Sequence, residues 1–130
     1  MDMAPERDTP LDVCSRREWR RWLRANHKKA THVWLYIYRV GADPRKISLA
    51  EAVEEALCFG WIDSVMHPVD KSRFGLRFSP RRKGSVWAES NHRRVLELAR
   101  KGKMCKAGFA VLPPKLLKEA LSAARDRNQD

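Results

Sequence analysis

Between residues 16 and 26 arginines alternate with Trp19, Trp22 and Leu23 at spacings of three and four, which predicts an amphipathic helix with a basic back. Ser15-Arg16-Arg17-Glu18 reads as its capping box: Ser15 Oγ accepts from the Glu18 amide, and the Glu18 carboxylate accepts from the Ser15 amide. Residues 32–40 are rich in β-branched and aromatic side chains. They predict a strand with Val33, Leu35 and Ile37 on one face and Trp34, Tyr36 and Tyr38 on the other, stopped by Gly41-Ala42-Asp43-Pro44. A second capping box, Ser48-Leu49-Ala50-Glu51, opens a helix whose stripe of Leu49, Ala52, Val53, Ala56 and Leu57 lies opposite Glu51, Glu54 and Glu55. Those glutamates sit near the positive end of the helix dipole, which explains them without any further role.

Gly60 ends that helix, and an extended pattern begins within two residues. Residues 62–69 and 73–79 read as strands around the turn Asp70-Lys71-Ser72, with Pro68 tolerated at an edge or an interruption. Regular alternation places Asp63, Val65 and His67 on one face with roughly 6 to 7 Å between successive members, which leaves the acid and the imidazole too far apart for a direct dyad. Beyond the loop Pro80-Arg81-Arg82-Lys83-Gly84, Ser85 is placed to cap a helix running from Trp87 to about Lys101, with Val95, Leu98 and Ala99 as its apolar face. A short helix over residues 105–112, a break at Pro113-Pro114 and a last helix over 115–125 complete the chain.

These elements predict an α+β fold, a short antiparallel sheet of about three strands with four to five packed helices. Residues 1–14 read as a loose arm, 15–125 as one domain and 126–130 as a frayed end. With 130 residues, 43% of them hydrophobic, one core suffices. No apolar run approaches the ~18 residues of a membrane helix, and the acidic-polar start lacks the pattern of a secretory signal, which suggests a cytoplasmic protein. Cys14, Cys58 and Cys105 are odd in number and widely spaced, so neither a disulfide framework, a metal site nor a cofactor is suggested.

Charge changes this picture because it is unevenly spread. The net +11 resolves into +5 over residues 1–46, −5 over 47–70, +10 over 71–106 and +1 over 107–130. Three consecutive cations leading into a helix N-terminus would make an anion cradle, in which amides and guanidinium forks act together. The candidate site joins the Gly60–Ser64 junction to that loop. It consists of Arg77, Pro80, Arg81, Arg82, Lys83 and Ser85, with Trp61 and Trp87 as walls and Asp63 orienting an arginine. A solubilising basic surface is the plain alternative.

The stretch Glu54-Glu55-Ala56-Leu57-Cys58-Phe59-Gly60-Trp61-Ile62-Asp63-Ser64, with Arg77-Phe78-Ser79-Pro80-Arg81-Arg82, Ser85-Val86-Trp87, Asn91, Arg94, Gly102 and Met104, resembles the bacteriocin-protection or OmpD-associated family of small bacterial proteins. The resemblance covers residues 15–112. It implies an α+β domain linked to stress response and tolerance of antibacterial peptides, without a settled catalytic mechanism. The chain departs from that family in having Cys105-Lys106 where Thr-Pro is usual, and in lacking the helical region that follows in longer members.

Three functions compete. The first is a protection protein binding an anionic small molecule or an acidic protein partner through the cationic loop. The second is nucleic-acid binding by the basic 71–106 segment, for which no helix-turn-helix, zinc finger or RNA-binding aromatic motif is legible. The third is a small enzyme using Cys58, Asp63 or His67, although nucleophile, base and orienter stand at no recognisable spacing.

Overall fold

The computed structural model describes residues 9–127. Among them are five helices, α1 (Arg16–Asn26), α2 (Leu49–Cys58), α3 (Glu89–Arg100), α4 (Lys106–Ala110) and α5 (Pro114–Arg127), and three strands, β1 (Val33–Tyr38), β2 (Trp61–Pro68) and β3 (Arg73–Pro80). The fold is α+β. The sheet is antiparallel in the order β1-β3-β2, so α2 carries the chain from one edge strand to the other and a hairpin then inserts β3 between them. Asp70 builds the hairpin turn by accepting from the Ser72 and Arg73 amides at 2.9 and 3.1 Å.

One face of the sheet is the core. Leu35 and Ile37 on β1 and Phe74, Leu76 and Phe78 on β3 bury against Trp19 and Leu23 of α1 and the apolar stripe of α2. Trp19 packs its ring 5.1 Å from Phe78 and donates its indole N–H to the Ala52 carbonyl at 3.0 Å, so its one polar atom is satisfied. The tryptophans of α1 are core residues. A second layer pairs α3 with α5 through Val95, Leu98 and Ala99 against Leu116 and Ala120.

The junction at Gly60 folds as its sequence implies. Gly60 has φ +76°, closing α2 in the left-handed conformation, and a Cβ there would lie 2.7 Å from the Ala107 carbonyl. α4 is seated on this stop: the Cys105 amide donates to Cys58 O at 3.0 Å, and a Cβ on Gly108 would collide with that same carbonyl.

Several expectations need correction. The loose arm is not loose in its described part, since the Leu11 amide donates to Trp34 O at 2.8 Å, the Tyr36 amide donates to Leu11 O at 2.9 Å, and Val13 is buried; residues 1–8 lie outside the described residues. Ser15 caps α1 as expected, but the Glu18 carboxylate reaches one residue further back, to the Cys14 amide. The Ser48–Glu51 box forms in full. Asp63 and His67 do not share a face: the register slips between Asp63 and Met66, and this extra residue inverts the alternation. Asp63 thus stands opposite core-facing Phe78, while His67 stands opposite Gly75 on the outer face. Ser85 caps no helix, because α3 begins only at Glu89 behind an extended Ala88. At the far end α5 continues through Asp126 to Arg127, past the point where fraying was expected, and residues 128–130 lie outside the described residues.

Candidate functional site

The two halves of the candidate site meet through the sheet. Trp61, Ile62 and Asp63 pair with Pro80, Ser79 and Phe78, and the Arg81 amide then donates to Gly60 O at 2.8 Å, which pins the start of the cationic loop to the helix stop. Ile62, Ser79, Pro80, Arg81, Arg82 and Ser85 line an open hollow of about 300 Å³. It is roomy for more than one water molecule.

Arg81 is the buried cation of this lining. Its side chain turns inward and is 9% exposed, with the guanidinium 3.8 Å over the Trp87 ring and Nη2 donating to Val86 O at 2.7 Å. Its Nε and Nη1, the Ser85 hydroxyl and the Trp87 indole nitrogen are all buried without a hydrogen-bond partner among the described residues. Burial pulls the Arg81 pKa down from its ordinary value, and the negative charge of Asp63 only partly opposes this. A guanidinium stays protonated regardless, so the consequence is a buried cation lacking a close counter-charge. Buried polar groups in folded proteins nearly always have partners, so this cluster of donors calls for an acceptor.

The other proposed site residues are placed as follows. Arg82 and Lys83 are exposed, Arg77 is half-buried on the outer face of β3 opposite Trp34, and no carboxylate among the described residues pairs with any of the three. Trp87 lies under the Arg81 guanidinium and is not among the residues lining the hollow, so it is no wall of it. Trp61 does not wall the hollow; it is 1% exposed, edge-on to Trp22 in the core. Asp63 acts on Arg81 through space and closes no ion pair with it. The helix-terminus component of the cradle is absent, since residues 85–88 separate the loop from α3.

Sequence reasoning missed a second charged centre. Glu55 is 1% exposed and receives Arg16 at 2.8 Å, Arg20 at 2.8 Å and Lys103 at 3.0 Å. Burial alone would raise its pKa, but donors from Arg20, Lys103 and Arg16 outweigh that and hold it below the ordinary value. A hint lay in Arg16 and Arg20, four apart on one face of α1. The partner was concealed because α2 is packed on two sides, so its buried arc extends past the apolar stripe to Glu55 and Cys58.

The three residues considered for a reaction do not assemble. Cys58 is fully buried, and desolvation pushes its thiol up to about 11 despite nearby Arg20, which leaves it a poor nucleophile. Asp63 and His67 occupy opposite faces of the sheet. Among the described residues no three His, Cys, Asp or Glu side chains gather as a metal site, and no helix is long and apolar enough to cross a membrane.

The chain belongs to the family described as "Domain of unknown function (DUF8412)". Its model matches residues 11–111. The match starts at the docked Leu11 and runs just past α4, so it contains the hollow, the helix stop and the Glu55 centre. No curated protein and no solved structure matches the chain.

Proposed function

We propose that this protein is a binding module for an anionic ligand or partner, received in the hollow beside Gly60 by Arg81, Arg82 and Ser85. One observation carries the reading: among the described residues, four buried nitrogen and oxygen donors of Arg81, Ser85 and Trp87 stand without acceptors, and the Arg81 cation has no paired carboxylate. An oxyanion in the hollow would supply acceptors and counter-charge together, and charge-assisted hydrogen bonds of this kind are the strong ones. Arg82 and Lys83 would add attraction at the rim, screened by salt. A role in bacteriocin or stress protection, in a cytoplasmic setting where Cys14, Cys58 and Cys105 stay thiols, belongs to the same proposal and accords with the family resemblance of the junction and loop.

The test is calorimetric titration with inorganic phosphate, pyrophosphate and tripolyphosphate. The Arg81→Ala/Arg82→Ala double variant should lose about tenfold or more in affinity, since a charged hydrogen bond contributes about 1.5–3 kcal/mol. The single variant Arg82→Ala, altered at an exposed side chain, reports the same loss if the double variant folds poorly. Unchanged affinity in both variants would reject the reading.

A further inference from the structure

The hollow does not stand alone on its side of the sheet. Ile62 and Ser79 face away from the core, as do Arg77 and its cross-strand partner Trp34, so the hollow borders the outer face of β3. There Trp34 lies over Gly75, where a Cβ would sit 3.6 Å from the indole, and His67 packs its ring 4.8 Å from the same indole at 45°. His67 is exposed and Trp34 half-buried. The opposite end of this face is already occupied by its own contacts: Arg73 covers Tyr36 at 4.1 Å, and Tyr38 donates to Asp12 at 2.8 Å. Pro10 borders the same spot over Gly75, and what the other described residues leave uncovered is an aromatic step, Trp34 with His67, beside Arg77, then roughly 13 Å of extended strand to Arg81, Arg82 and Lys83, with Arg77, Arg82 and Lys83 paired to no carboxylate among the described residues.

We infer that the anionic ligand is a single-stranded nucleic acid, with a phosphate in the hollow, neighbouring phosphates on Arg77 and Arg82, and a base stacked on Trp34 beside His67. The phosphate end rests on the function proposed above; the stacking end rests on the aromatic step independently. A chain of alternating anions and flat π-faces is what an open sheet presenting guanidinium groups beside exposed rings recognises. An acidic peptide satisfies the cations and leaves the rings unused. A duplex hides its base faces, and no described helix projects from this face to enter a groove.

The experiment follows fluorescence anisotropy of a labelled ten-residue oligothymidylate and its oligouridylate counterpart across a salt series, with tripolyphosphate titration as a separate probe of the hollow. Wild type should bind both single strands with a log–log salt slope of about −2, for about three neutralised phosphates. Trp34→Ala should weaken oligonucleotide binding about tenfold while leaving tripolyphosphate affinity in place. His67→Ala, at an exposed position, should weaken it in the same direction and guards against misfolding of the tryptophan variant. The inference is overturned if both variants bind the oligonucleotide as wild type does, or if a ten-base-pair duplex or polyglutamate binds as tightly. In those cases retained tripolyphosphate binding, lost in Arg82→Ala, keeps the anion site and removes only the nucleic acid. Should tripolyphosphate itself not bind, the anion site falls on its own.

Discussion

Two clusters of cations flank the Gly60 junction, and they differ in whether their charges are answered. Around Glu55, side chains from α1, α2 and the turn before α4 converge, and Arg20 is satisfied by Glu55 Oε1, the Lys103 carbonyl at 2.8 Å and the Cys105 sulfur at 3.5 Å. Around Arg81 one carbonyl and one ring answer the guanidinium, and two of its nitrogens have no hydrogen-bond partner among the described residues. The first arrangement ties three elements together. On the reading proposed above, the second leaves free energy for an incoming anion to recover. In a protein this basic, the presence of arginines does not mark a site; the absence of their partners does.

The closed centre should dominate stability. Glu55→Gln removes the charge on which three cations depend, and denaturation in urea should show a loss of about 3 kcal/mol, since stranding buried or half-buried charges is costly. A loss below about 0.5 kcal/mol would show that the centre is no better tied than an ordinary surface pair. Gly108→Ala attacks the same centre from its other side, because a Cβ there pushes α4 off the Cys58 carbonyl and draws Lys103 with it. The expected loss is about 2 kcal/mol, within the range for overpacking.

Acid should also separate the two clusters. Because the folded-state pKa of Glu55 lies below its ordinary 4.5, its contribution is fully present above that value and is lost as pH falls through the depressed folded value. Urea midpoints measured from about pH 5 to about pH 3 should therefore decline more steeply for wild type than for Glu55→Gln. Parallel declines would place the acid sensitivity elsewhere. The smallest effect concerns the open cluster. Among the described residues Asp63 is the acid whose charge acts on Arg81, so Asp63→Asn should raise tripolyphosphate affinity a few-fold without lowering stability by more than about 0.5 kcal/mol. Weaker binding in this variant would mean that Asp63 positions Arg81 instead of competing with the ligand.

Much of the architecture was readable because it depends on short-range chemistry. The Ser48–Glu51 box, the left-handed stop at Gly60 and the hairpin around Asp70 each follow from a few adjacent residues, and together they bring the junction and the basic loop into register. What could not be read depends on contacts distant in sequence. A one-residue bulge leaves no mark on the alternating pattern before the pairing exists, so regular alternation puts Asp63 and His67 on one face when they lie on two. Glu55 looked like a dipole-stabilised surface glutamate until α1 and the Lys103 turn closed over it. In the run Arg81-Arg82-Lys83 all three cations look alike; only the Arg81–Gly60 bond and the Trp87 ring turn the first one inward. The aromatic step of Trp34 and His67 joins residues from the two edge strands across Gly75, and no local motif announces it.

The contrast between answered and unanswered arginines is most directly tested by nuclear magnetic resonance of the arginine Nε–H and tryptophan indole N–H signals during titration with tripolyphosphate. The Arg81 Nε and Trp87 indole resonances should shift and saturate together, while those of Arg16 and Arg20 stay in place. Saturating shifts at Arg16 and Arg20, or shifts confined to exposed side chains with Arg81 and Trp87 unmoved, would contradict the assignment of the hollow as the site.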